Sequence, residues 1–461
     1  MKTSHEVDLG KDSIKKLFFM LAIPAIASQL VNALYNMVDR MYIGHIEGVG
    51  ATALTGVGVC FPIIMIISAF AMLIGAGGAP RASIFMGRQQ NDRAEQILGN
   101  CFSALVICSI TLMLVVIAFQ KPILLAFGAS ENTLPYAMNY MFIYALGTFF
   151  VMMTLGMNAF ISAQGFSKIS MLTVVIGAVI NIILDPIFIF GFGLGVRGAA
   201  LATVFSQGVS CVWCILFLMG KKTTLHLHKK YFAIKKDVLM PCIALGVAPF
   251  IMQSTESLLI LCFNSSLLRY GGDMAVGAMT ILGSVMQFAL LPLSGFTQGS
   301  QPIVSYNYGA GKPKRVRKAF WMVLFSCFIY ATIMWSVCML LPQYVISIFT
   351  NDPELIKISV WALRIYMAGS LMMGIQIACQ QTFIALGNAK TSAFLAMFRK
   401  IIVLIPLIYI LPMFIEDKVF AVFLAEPIAD VLAVLTTVVL FVKFFRNLLH
   451  KMDEKQATLA K

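Results

Sequence analysis

The stretch GGAPRASIFMGRQQNDR (Gly77–Arg93) returns 222 positions later as GSQPIVSYNYGAGKPKR (Gly299–Arg315). The two copies share the first Gly, the Pro, the Ser, the next Gly and the final Arg. At the same offset FGASEN (Phe127–Asn132) lies on FTNDPE (Phe349–Glu354), and IYALG (Ile143–Gly147) lies on IYMAG (Ile365–Gly369). FISAQGFSK (Phe160–Lys168) meets FIALGNAK (Phe383–Lys390) with one gap. Four matches in one register make the chain a tandem repeat. The polar stretch KKTTLHLHKKYFAIKKD (Lys221–Asp237) divides it near the middle, giving halves 1–225 and 226–461.

What fills each half is apolar. Of 461 residues, 60% are hydrophobic and 12% charged, with a mean hydropathy of +0.89. A soluble protein carries about twice that charge. Apolar runs of about 20 residues mark transmembrane helices. Twelve are read, at about 15–45, 51–78, 94–119, 135–162, 169–191, 197–219, 238–268, 275–303, 319–342, 358–386, 391–414 and 419–443. The expected fold is an all-α integral membrane protein of twelve helices in two six-helix lobes. Six spans is an even number, so both lobes enter from one side. A pseudo-two-fold axis along the membrane normal follows, as does rocking of the lobes in alternating access.

The polar start MKTSHEVDLGKDSIKK precedes a first apolar run too long for a signal core, so no cleavable signal is expected. The ten cysteines stand singly in apolar stretches and read as small buried hydrophobes. Basic residues stay in cytoplasmic loops. With the N-terminus inside, the inner segments hold 27 of the 34 Lys and Arg, while the outer loops hold only Lys121, Arg197, Arg269, Lys357 and Lys418. Both termini are expected on the cytoplasmic side of a bacterial plasma membrane. The net charge of +14 then reflects this bias and attraction to anionic lipid, with no basic soluble domain for nucleic acid.

Acids inside the spans carry the chemistry. A charge at the bilayer centre costs at least about 2.5–3.5 kcal/mol, so function is its first reading. The span acids are Asp39, Asp185, Glu256, Glu426 and Asp430. At about 1.5 Å per residue, Asp185 lies roughly 25 Å past Lys168, Asp39 roughly 35 Å past Lys16, and Glu256 roughly 28 Å past Asp237. Glu426 lies roughly 12 Å from the outer Lys418. Asn181 and Asp185 are four apart and share a helix face, as do Tyr35 and Asp39. Asn32, Tyr35, Asn36 and Asp39 form a polar stripe on the first helix. Pro186 has no N–H, so the carbonyl of Ile182 loses its helical partner beside a kink. Hard oxygens there suit Na⁺, with Asp39 and Asp185 as its ligands. A carboxylate among apolar neighbours suits H⁺, because burial disfavours the charged form. The structural alternative pairs these acids with Arg40 or another polar group to pack the bundle; it is the stronger reading for Glu426 and Asp430.

At this point the chain resembles the multidrug and toxic compound extrusion (MATE) family, over nearly its whole length. NIILDPIFIFGFGLGVRGAALAT (Asn181–Thr203) is similar to that family's fifth and sixth helices, and the cytoplasmic stretches after helices 2 and 8 also fit. The resemblance is to MepA-like and DinF-like members. It implies an N-lobe polar network at Tyr35, Asp39, Asn158, Asn181, Asp185 and Thr203. Sodium-coupled members use a glutamate on helix 7, matched by Glu256. They also use an aspartate on helix 10, where GIQIACQQ (Gly374–Gln381) has no acid, and a C-lobe Na⁺ site is placed in doubt. The expected function is an antiporter that exports amphipathic, mostly cationic drugs or metabolites in exchange for H⁺ or Na⁺. It needs no cofactor and works as a monomer in the bilayer. GAGKP (Gly309–Pro313) lacks the leading Gly and the Ser/Thr of a P-loop. A lipid-linked oligosaccharide flippase would want a basic cavity, yet Arg40, Arg364 and Arg399 are few and scattered. A membrane-embedded enzyme would want paired His, HExxH or Ser-Lys, which the spans lack.

Overall fold

A computed structural model describes residues 8–459 and is helical throughout its spans. The first half comprises α1 (Ile14–Gly44), α2 (Gly50–Gly87), α3 (Asn91–Ala126), α4 (Leu134–Leu146), α5 (Thr148–Ala163), α6 (Ser167–Pro186) and α7 (Val196–Met219). A π turn, Ile187–Gly191, follows α6, and a 3-10 turn, Lys229–Tyr231, lies in the linker. The second half comprises α8 (Lys236–Gly309), α9 (Pro313–Leu340), α10 (Pro342–Ser347), α11 (Pro353–Tyr366), α12 (Ser370–Ala385) and α13 (Ala389–Met397). A second π turn, Phe398–Leu404, leads into α14 (Ile405–Phe414), and α15 (Lys418–Leu459) ends the described chain.

Among the described residues, nine continuous helices are long and apolar enough to cross a membrane. One of them, α8, holds two spans joined at Gly272, whose φ of +64° is open to glycine and strained for other residues. The pairs α4–α5 and α11–α12 are spans bent by 55° and 48°. The described residues therefore supply the twelve spans. The bends fall where IYALG and IYMAG end, so this repeated motif marks a broken helix in each half.

The repeat is visible in element ends. Gly87 and Gly309 close α2 and α8, Asn91 and Pro313 open α3 and α9, and Thr148–Ala163 becomes Ser370–Ala385. Each pair is 222 apart, the offset of the sequence motifs.

The chain forms two compact units. One is Ala27–Gln253; the other joins Asp8–Ile26 to the described residues from Ser254 on. They differ from 1–225 and 226–461 by an exchange: the first helical stretch of each half groups with the opposite unit. Repeated glycines are the physical reason. A Cβ on Gly77 of α2 would stand 2.7 Å from the Gly246 nitrogen, and one on Gly299 of α8 would stand 2.6 Å from the Ala22 nitrogen. Only glycine lets these backbones touch. Close approach of this kind drives helix association where lipid removes the hydrophobic difference. In the second unit Arg315 donates to the carbonyls of Leu9 at 3.0 Å and Asp12 at 2.7 Å, and Asn307 donates to Leu9 at 2.9 Å.

Candidate ion-coupling site

In the unit Ala27–Gln253, α1, α6 and α7 bring Asp39, Asp185, Asn181 and Thr203 together. Asp185 and Asn181 are fully buried, and Asp39 and Thr203 nearly so. The Asn181 amide donates to Asp185 Oδ1 at 3.3 Å and to Thr203 Oγ1 at 3.4 Å. The four-residue spacing on α6 makes the first contact, and α7 supplies the second. The Asp39 and Asp185 carboxyl groups meet side chain to side chain, and Tyr35 lies close to both. Asp39 Oδ1, Asp185 Oδ2 and Asn181 Oδ1 are buried without a hydrogen-bond partner. Two acceptor groups face each other here, so either a proton or a cation between them is needed to make the contact favourable.

Arg40 lies close enough to act on Asp39 through its charge but does not clamp the pair. Its guanidinium lies 4.9 Å from the Phe61 ring centroid, and no described ion pair joins it to either aspartate. The polar stripe divides: Asp39 is buried and Tyr35 half-buried, while Asn32 and Asn36 are exposed, the Asn36 amide donating to the Asn32 carbonyl at 2.7 Å. Beyond Asp185 the helix does not simply kink at Pro186. It widens into the π turn, with Phe192 donating to the Ile187 carbonyl at 2.9 Å. Single π turns recur at functional sites.

Asn158 lies elsewhere. It donates to the Ser170 carbonyl at 3.2 Å, eleven residues before Asn181, which is about 16 Å along α6. In the second half Gln380 donates to the Ser392 carbonyl at 2.8 Å. Both positions are 222 on, so this bond belongs to the repeated scaffold. It ties α5 to α6 and, in its second copy, α12 to α13.

The second unit holds a different cluster. Arg399 Nε donates to Asp430 Oδ1 at 2.9 Å and Nη2 to Glu426 Oε1 at 2.8 Å. Asp430 is fully buried, and Glu426 nearly so. Lys400, also buried, pairs with Glu256, whose side chain is half exposed. Arg399 and Lys400 sit in the π turn Phe398–Leu404. Adjacent residues there reach acids on two helices, α15 and α8. Reading Arg399 as a scattered charge is corrected here: inside the expected span 391–414 it is ion-paired to two acids, and its neighbour Lys400 is paired to a third. The positions 222 residues away from these charges are Leu34, Gly177, Ala178, Val204 and Gly208. Those 222 after Asp39 and Asp185 are Leu261 and Leu407. The scaffold repeats and the charges do not. Each half carries its own chemistry.

The sequence profile of the MatE family matches residues 24–187 and 249–410, one copy in each half. The chain belongs to the MatE family. Among curated MATE relatives, the multidrug export protein MepA of Staphylococcus haemolyticus is 25% identical over 411 residues, covering 89% of this chain and 90% of its own. MepA of Staphylococcus aureus strain NCTC 8325 is 24% identical at the same coverage. A MATE crystal structure in the bent conformation superposes with a TM-score of 0.91 at 22% identity, covering 98% of this chain and 100% of that one. The fold is thus the twelve-helix, two-lobe MATE fold.

Proposed function

We propose that this MATE protein is a secondary antiporter in a bacterial plasma membrane, both termini cytoplasmic. It exports amphipathic, mostly cationic drugs or metabolites in exchange for H⁺ or Na⁺. The observation that carries this is the facing pair Asp39 and Asp185, buried with open acceptor oxygens and, among the described residues, no ion pair to a basic side chain. Ion and cationic drug would compete for the same carboxylates. That competition supplies the differential affinity that coupling requires. In the other half, Glu256, Glu426 and Asp430 already hold ammonium or guanidinium groups. The Lys400 ammonium thus stands where a free C-lobe cation would bind, and coupling rests on the N-lobe pair. The same neutralisation argues against a phosphate-binding cavity and so against a flippase. The test is drug uptake by proteoliposomes under H⁺ and Na⁺ gradients imposed separately. Uptake driven by one of them supports the reading; uptake driven by neither refutes it.

A further inference from the structure

The linker sequence LHLH (Leu225–His228) takes no part in the transport chemistry above. Leu225 and Leu227 are buried, while His226 and His228 are not. This alternation is that of extended chain, which sends residues i and i+2 to one face. Both imidazoles meet one carboxylate, that of Glu95 on α3. His226 Nδ1 lies 3.5 Å from Glu95 Oε1, and His228 Nε2 lies 3.6 Å from Glu95 Oε2. The three ligand atoms, one from each residue, fall within 4.8 Å of one another. The glutamate side chain is only 10% exposed, an uncommon place for a carboxylate.

The distances discriminate between two uses of the cluster. They exceed the 2.7–3.2 Å range of N–H···O hydrogen bonds. Ligands held about 2.1 Å from a tetrahedral zinc stand about 3.4 Å apart. Each imidazole nitrogen thus stands about one zinc-ligand edge from a Glu95 oxygen, a spacing that suits a metal ion between them better than hydrogen bonds. We propose that Glu95, His226 and His228 form a binding site for a divalent transition cation of the zinc class, fastening the linker to α3. Two imidazoles and one carboxylate suit Zn²⁺, Co²⁺, Ni²⁺ or Cu²⁺ over Ca²⁺ and Mg²⁺, which take oxygen ligands. Three protein ligands leave a fourth position for water.

The cradle is fixed before any metal arrives. The His226 N–H donates to Glu95 Oε1 at 3.0 Å and orients the carboxylate. Gln164 Oε1 accepts from the Thr224 and Leu225 nitrogens at 2.9 and 2.8 Å. Beyond the histidines, Asn100 donates to the Tyr231 carbonyl at 3.0 Å and accepts from the Lys235 nitrogen at 2.6 Å. The Tyr231 ring packs edge-on to His228, its centroid 6.4 Å away. The linker is pinned on both sides of the ligands, so little ordering entropy opposes binding. Lys229 and Lys230 are the nearby cations on the linker; both are exposed, and the Lys230 ammonium lies 4.5 Å from the Tyr231 ring centroid.

The experiment uses the full chain in detergent, with its affinity tag removed, stripped with chelator and titrated with Zn²⁺ alone. One zinc per chain is expected, with a melting temperature that rises with zinc concentration. Co²⁺ in its place should give the visible absorption of a four-coordinate site. His226→Ala and His228→Ala should each weaken zinc binding at least about tenfold. Glu95→Gln should do the same while keeping the side-chain volume. The double variant His226→Ala/His228→Ala controls for the ten cysteines. If it binds zinc as tightly as the parent, or if the parent shows neither the melting shift nor the cobalt spectrum, the proposal is wrong.

Discussion

Replacing Arg399 by Met should be among the most damaging single changes in the second half. The Arg399 side chain is 14% exposed, and it is the guanidinium partner of Glu426 at 6% and Asp430 at 1%. Methionine fills similar volume and removes the charge. Two carboxylates then remain in a site that water hardly reaches, next to the Lys400 and Glu256 pair. Breaking a buried pair by removing one partner costs about 3–5 kcal/mol. Here one cation serves two acids, so the upper end of that range is expected. The loss comes from the stranded acids rather than from the lost contact, so removing them should reverse it. Arg399→Met combined with Glu426→Gln and Asp430→Asn should recover most of the stability, leaving only imperfect amide bonding of about 1 kcal/mol per group. Thermal unfolding in detergent, monitored by the buried cysteines with a thiol-reactive dye, reads all three proteins. If Arg399→Met melts within error of the parent, the acids are not held by Arg399. If the triple variant is as unstable as the single one, the stranded-charge account is wrong.

Three further outcomes follow from the same geometry. Lys400→Met should free the Glu256 carboxylate, so affinity for cationic drugs should rise or the drug spectrum shift, as read by equilibrium binding; Glu256→Gln in that background should abolish the gain. Pro186→Ala should restore a helical N–H and let the π turn relax toward α-helix, slowing transport while drug binding persists. Its stability should rise by less than the ~3 kcal/mol that proline costs a regular helix, because the π turn already absorbs the misfit. Gly77→Val should press α2 away from the Gly246 backbone and destabilise by several times RT, whereas Gly58→Ala has open space around it and should stabilise by up to about 1 kcal/mol; equal melting temperatures would contradict the packing account.

Much of this was legible because membranes penalise charge. Asp39 and Asp185 stand out in apolar runs, and their spacing from Tyr35 and Asn181 places each on a known helix face. Structure then adds that α1 and α6 bring the two together. The twelve spans were equally plain, since apolar length and loop polarity need no partner to be read. Arg399 and Lys400 were not legible. Their acids lie 27, 31 and 144 positions away, and nothing in FRKIIVL announces a π turn. Asn158 was assigned to the polar network by resemblance. Its bond to Ser170 shows its role only when Gln380 and Ser392 repeat it. The exchanged segments at Asp8–Ile26 and before Ser254 depend on which helix faces Gly77 and Gly299, a tertiary fact that a single chain of letters does not state. The expected spans 238–268 and 275–303 leave Gly272 in a loop, and the structure instead carries helical bonding up to it from both sides.

In the proposed antiport, the Asp39–Asp185 pair couples ion entry to drug exit. Its most direct test is Asp185→Asn, which keeps the side-chain volume while removing the charge. Reconstituted at equal abundance, the variant should insert normally, melt no lower than the parent, and lose ion-driven drug transport down to the level of protein-free liposomes. Transport at the parent rate under the same gradient would contradict the account.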